Sequence, residues 1–210
     1  MSNLLQQLND DLTAVVEKAR RSLVEIHNGH GGAGAGVVVR QDGLIVTNAH
    51  VIGRRGLKVT LPDGQQMPAQ LLAYDRDHDL ALLAVEIDGL TPIEMGDSKA
   101  IKAGEWVMAI GHPFGVAGAA TAGIVIGSGG ELPEMRGAQR EWVVASLHMR
   151  PGHSGEALVD DQARLIGINT LINGPDVGFA VPSHVVQAFL AQAKDIERVH
   201  KRHRVESMLV

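Results

Sequence analysis

Gln41-Asp42-Gly43-Leu44-Ile45-Val46-Thr47-Asn48-Ala49-His50-Val51 is the stretch that decides the fold: a turn signal, a short apolar run, and a histidine where the run ends. Asp-Gly supplies the turn, and Leu44 to Thr47 has the length of a short strand rather than a helix. The same unit recurs in both directions along the chain. Ser22 to Ile26 and Gly36 to Val39 precede it. Leu57 to Leu61, Leu80 to Val85, Trp106 to Ile110, Thr121 to Ile126, Glu141 to Ala145, Ala157 to Val159, Leu165 to Asn169 and Val177 to Val181 follow it. Pro62-Asp63-Gly64 and Asn173-Gly174-Pro175 mark further turns. Short strands in close succession, with no helix between them, predict an all-β sandwich or a pair of barrels.

Helical periods occur only at the two ends. Leu4, Leu8, Leu12 and Val16 recur every four residues, beside Leu5, Val15 and Ala19, and predict an amphipathic helix over roughly residues 3–20. After Pro182-Ser183, the stripe Val185, Val186, Phe189, Leu190, Ala193 and Ile196 predicts a second helix, with Ser183 as its N-cap. Arg198 to Arg204 gives that helix a basic end, which suits the macrodipole. Gly29 to Gly36 and Gly127 to Gly137 read as long loops.

Composition removes several function classes. The 210 residues carry a net charge of −5, without the basic footprint that nucleic-acid binding needs. No apolar run approaches a membrane span. Zero Cys excludes disulfides, thiolate metal sites and a Cys nucleophile. Among the 10 His, the pairs His27/His30 and His200/His203 have helical or loop spacing but no third ligand nearby, so neither metal nor cofactor is expected. The amino terminus shows no signal peptide, which suggests a cytoplasmic protein, or an extracytoplasmic one if the chain is a trimmed mature form.

Three segments carry chemistry. His50 closes a strand, Asp79 precedes the apolar run Leu80-Ala81-Leu82-Leu83, and Ser154 sits in the Gly-flanked turn Pro151-Gly152-His153-Ser154-Gly155. A serine hydroxyl attacks a carbonyl only when a base takes its proton. His50 is the candidate base, and Asp79 the residue that fixes its tautomer and stabilises the imidazolium. The backbone N–H groups of Gly152 and Ser154 can converge on a developing oxyanion. Each residue has an ordinary structural reading when taken singly; their conjunction in an all-β chain points to a Ser-His-Asp hydrolase.

The segments that carry these residues resemble the HtrA (high-temperature requirement) serine proteases. The resemblance runs from about residue 13 to residue 190 through Gly43 to Val51, Asp79 to Leu83, Gly96-Asp97-Ser98, Ala109 to Gly115, Thr121 to Val125, Ile166 to Thr170 and Gly178 to Ser183. It implies a trypsin-like fold of two six-stranded antiparallel β-barrels, with helices at the N- and C-termini. It divides the chain into an N-terminal helix (1–20), a double-barrel protease domain (21–182), and a C-terminal helix and basic tail (183–210). It also implies a triad of His50, Asp79 and Ser154, an oxyanion hole at Gly152 and Ser154, and polypeptide substrates. Asn169, Thr170, Leu171 and Ile172, with His153, would form the substrate pocket, which in this family usually accepts small aliphatic side chains.

The chain departs from the family at several places. Around the nucleophile the family reads N-P-G-N-S-G-G-P-L, whereas this chain has Arg150-Pro151-Gly152-His153-Ser154-Gly155-Glu156-Ala157-Leu158. Ala145-Ser146 replaces the usual Thr-Asp pair, and no aromatic residue precedes Tyr74, so the family's aromatic trimer contacts are missing. Any homo-oligomer is therefore expected to use the N-terminal helix. On this resemblance, the stretch after Ser183 is expected to be too short for the family's PDZ domain. Glu156 stands where the family has glycine, which suggests that it holds the nucleophile loop in a less active arrangement, with Arg150, His148 or His153 as partner; the alternative is a side chain pointing to solvent. Two readings follow: an active serine endopeptidase, favoured by the complete triad, or a catalytically impaired binding or chaperone module, favoured by His153 and Glu156.

Overall fold

The computed structural model describes residues 2–29, 33–53, 56–112, 118–130, 140–149, 153–172, 174 and 176–193. Helix α1 (Ser2–Arg20) leads into β1 (Leu23–His27), β2 (Ala33–Arg40), β3 (Leu44–Thr47), a single 3₁₀ turn (Ala49–Val51), β4 (Lys58–Thr60), β5 (Gln66–Asp75) and β6 (Leu80–Val85). The second set comprises β7 (Trp106–Gly111), β8 (Ala119–Gly129), β9 (Trp142–Ser146), β10 (Ala157–Val159), β11 (Leu165–Ile172) and β12 (Val177–Pro182). Residues 183–193 form a helix, α2.

Each set closes on itself as a six-stranded antiparallel barrel, in the order β1-β2-β3-β6-β5-β4 and β10-β11-β12-β9-β8-β7. Closing a sheet this small requires strong bending, and β-bulges supply it at Val38/Arg40, Leu71/Ala73, Val125/Gly127, Leu158/Val159 and Asn169/Leu171. The expected all-β pair of barrels with terminal helices is the observed fold.

Three apolar clusters hold it together. Val24, Ile26, Ile45, Val59 and Leu83 fill the first barrel. Val107, Ala109, Val143, Leu158 and Ile166 fill the second. A third cluster joins the two barrels, drawing Val46, Leu80 and Leu82 from the first and Ile110, Trp142, Ile168 and Phe179 from the second. Trp142 meets Phe179 edge to face, with centroids 5.9 Å apart, a favourable quadrupole geometry. Because successive strand residues face opposite ways, β6 has both faces covered, one by its own barrel and one by the neighbouring barrel. This is why Leu80 to Val85 reads as apolar at every position. The residues that bear the chemistry lie at the ends of strands along this seam.

The α1 stripe divides in two. Val15 and Ala19 are buried in the joining cluster, with Leu12 and Val16 packed against it. Leu4, Leu5 and Leu8 are exposed.

Two expectations need correction. β5 was not legible as a strand: Gln66-Met67-Pro68-Ala69-Gln70-Leu71-Leu72-Ala73-Tyr74-Asp75 contains no β-branched residue, and pairing with β4 and β6 makes it extended. The two glycine-rich stretches are partly strand rather than loop, since β2 starts at Ala33 and β8 runs to Gly129. In β2 the glycines make room for neighbours: a Cβ at Gly34 would strike Val51, and one at Gly36 would strike Ile26 and Ile45. His30, residues 131–137 of the second glycine-rich stretch, and the basic tail with His200 and His203 lie outside the described residues.

Candidate active site

Asp79 sits just before β6 with φ of +55°, a left-handed conformation that costs a non-glycine residue about 1–2 kcal/mol. Five hydrogen bonds hold it there. Its backbone carbonyl accepts from Ala49 N (3.1 Å) and from Asn48 Nδ2 (3.0 Å). Its carboxylate accepts from His50 N (Oδ1, 3.0 Å), from the His50 ring at Nδ1 (Oδ2, 2.8 Å), and from the Thr170 hydroxyl. Burial raises the Asp79 pKa, but the hydrogen bonds from His50 and Thr170 outweigh it and leave the carboxyl below its ordinary range.

A carboxylate can only accept, so the proton on this edge of the His50 ring lies on Nδ1, and Nε2 keeps its lone pair. The ring is about half exposed, so that lone pair is open to a reacting group. Other histidines also meet carboxylates: His78 meets Asp75 and His148 meets Asp176, each at 2.8 Å. What sets His50–Asp79 apart is the third member, Thr170, which comes from the other barrel.

The Ser154 turn is anchored from three sides. Gly155 N donates to Asn169 O (2.9 Å) and to Asn48 Oδ1 (2.7 Å). Ser154 O accepts from Ala35 N (3.0 Å). Gly155 has φ of +82°, and a Cβ there would overlap the Ala35 carbonyl oxygen. Only glycine fits that position. Ser154 is half-buried. Between the described residues, no hydrogen bond joins its hydroxyl to the His50 ring; catalytic hydrogen bonds of this kind commonly tighten only when substrate is bound.

Of the other residues singled out from sequence, Thr170 directs its hydroxyl to Asp79 rather than toward a pocket. Asn169 is buried, and its side-chain Nδ2 and Oδ1 have no partner among the described residues. Leu171 and Ile172 are exposed. His153 is buried against Glu156, with Nδ1 2.6 Å from Oε2. Glu156 is therefore not at the surface: it is 0% exposed. Gly152 and Arg150 lie outside the described residues. Asn48 was missed by sequence reasoning. Its amide is fully buried just after β3, two residues before His50, a placement that only the fold reveals.

The model of the trypsin-like peptidase domain matches residues 34–168, a span that contains His50, Asp79 and Ser154. Serine protease HTRA1 of Xenopus tropicalis is 36% identical over 165 residues, covering 77% of this chain and 36% of that protein. A probable periplasmic serine endoprotease, DegP-like, of Marinomonas sp. is 37% identical over 174 residues, covering 80% and 37% respectively. The chain thus spans little more than a third of the length of these relatives. Among solved structures, the HtrA-type protease AlgW with a decapeptide superposes with a TM-score of 0.76 at 27% identity, covering 88% of this chain and 66% of that one. With the family model matching well over half of the sequence and both barrels in place, the chain belongs to the trypsin-like peptidase domain family, as an HtrA-type protease domain.

Proposed function

We propose that this domain is a serine endopeptidase acting on exposed or unfolded polypeptide segments, with Ser154 as nucleophile, His50 as general base and Asp79 as its orienting partner. The observation that carries the reading is the His50–Asp79–Thr170 arrangement, which joins both barrels beside the Ser154 turn. In this mechanism His50 Nε2 takes the Ser154 Oγ proton as Oγ adds to the scissile carbonyl. Asp79, ionised and hydrogen-bonded, stabilises the imidazolium that forms. The N–H groups of Ser154 and Gly152 donate to the developing oxyanion; Gly155 N–H is already committed to Asn169 and Asn48 and is not a candidate. His50 then protonates the leaving amine, and the same base activates water to release the acyl group. An extended peptide is the expected ligand, as AlgW was solved with a decapeptide.

Ser154→Ala is expected to lower kcat on the order of 10⁶-fold, as removal of a triad nucleophile does, while leaving the thermal transition in place. A serine-directed fluorophosphonate should label the wild-type chain at Ser154 and should not label the variant. Undiminished casein cleavage by purified Ser154→Ala would contradict the assignment; a folded wild-type chain that takes no label would favour the binding-module reading.

Activity is expected to fall as pH drops, because a protonated imidazole cannot accept the Ser154 proton. Asp79, held below its ordinary range, adds no second protonation between about pH 5 and 8, where imidazole titrates. The kcat/KM profile should therefore fall through an imidazole ionisation in that window, and a profile flat across it would contradict the arrangement.

Cleavage is expected after small aliphatic residues. Leu171 and Ile172 offer apolar surface beside Thr170, and Asp176, the acidic residue nearest in sequence, is engaged by His148. Peptide-library profiling checks this, and a dominant Arg or Lys preference would overturn it.

A further inference from the structure

His153 and Glu156 take no part in the proton transfers above, yet they flank Ser154 and are almost wholly withdrawn from solvent, with side chains 5% and 0% exposed. Glu156 Oε2 lies 2.6 Å from His153 Nδ1, and Oε1 accepts from His112 N at 2.8 Å. The carboxyl group packs directly on Gly111, where any Cβ would overlap it. Glu156 therefore ties the residue immediately before Ser154 to the end of β7.

On the other side of Ser154, Gly155 N–H is tied to Asn169 and Asn48. The serine thus stands between two clamps, one on each neighbour. Burial raises the Glu156 pKa, against the opposing hydrogen bonds from His153 and from His112 N–H. Both carboxyl oxygens of Glu156 are engaged within the turn and at the end of β7.

We propose that His153 and Glu156 are positioning residues, a buried latch that fixes the His153–Gly155 turn against the end of β7 and so holds the Ser154 hydroxyl in register for attack. The proposal rests on the serine endopeptidase reading for its effect on rate, and on the hydrogen-bond geometry alone for its effect on the turn. Removing Glu156 strands His153 Nδ1 and His112 N–H without partners. Removing both members of the couple leaves only the backbone group unpaired.

The test compares wild type with Glu156→Gln, Glu156→Gly and the double variant H153N/E156G. Three quantities are read: fluorophosphonate labelling rate at Ser154, kcat and KM on a peptide, and amide hydrogen exchange at Gly155 and His112. Glu156→Gly should label about ten-fold or more slowly and lose kcat with KM little changed, since a stranded buried polar group costs on that scale. Its Gly155 amide should exchange faster, while amides in β6 keep their protection. Glu156→Gln, which can still accept from His112 N–H and donate to His153 Nδ1, should rescue rate and protection, and the double variant should recover most of the loss.

A Glu156→Gly chain labelled as fast as wild type or faster, or one whose Gly155 amide stays protected, would overturn the latch. So would a loss of rate that neither Glu156→Gln nor the double variant repairs. A folded wild-type chain that takes no label would sink the protease reading separately, and Gly155 exchange would still decide the latch.

Discussion

Asp79 is the constraint on which the site depends. Its carboxylate is held by His50 from the first barrel and by Thr170 from the second. Its left-handed backbone is unfavourable in isolation and persists because Asn48, Ala49, His50 and Thr170 together over-determine it. The apolar seam formed by Leu80, Leu82, Ile168 and Phe179 sits immediately behind. Burial at the seam raises the cost of the Asp79 charge, and the hydrogen bonds convert that cost into orientation: the acid stays ionised and the imidazole has one allowed tautomer.

The nucleophile turn obeys the same logic. Ser154 belongs to the second barrel's strand system, yet its carbonyl is fixed by Ala35 of β2, and its neighbour Gly155 by Asn48 at the end of β3. Thr47 closes the set by donating to Ala35 O at 2.6 Å. The arrangement is shared between the barrels, because Asn48 and Ala35 of the first hold backbone groups of the Ser154 turn and Thr170 of the second holds the Asp79 carboxylate. The buried His153–Glu156 couple adds a tie within the second barrel, to the end of β7.

Much of this was legible in the sequence. Short β-branched runs with Gly, Pro and Asp turns marked eleven of the twelve strands, because those residues suit a pleated, covered surface. β5 escaped because its extended form comes from its neighbours rather than from its residues. His50, Asp79 and Ser154 stood out as candidates because hydrolytic chemistry restricts residue type. Asn48 and the Thr170–Asp79 bond were not, since a hydroxyl or an amide becomes significant only when folding decides what it faces. Glu156 was visible as an anomaly, but its burial and its pairing with His153 depended on the room that Gly111, lacking a Cβ, leaves for its carboxyl. The α1 stripe shows the reverse case, in which an even sequence pattern is only half covered.

The most direct measurement is the fluorophosphonate labelling rate of Ser154 in Thr170→Val, a near-isosteric change that removes only the cross-barrel hydrogen bond to Asp79. The Thr170–Asp79 link, acting through His50, requires labelling to slow about ten-fold or more, the scale of a hydrogen bond to a charged group, in a variant whose unfolding transition remains cooperative. A folded Thr170→Val chain that labels at the wild-type rate would show that the Asp79 junction between the barrels does not set the reactivity of Ser154.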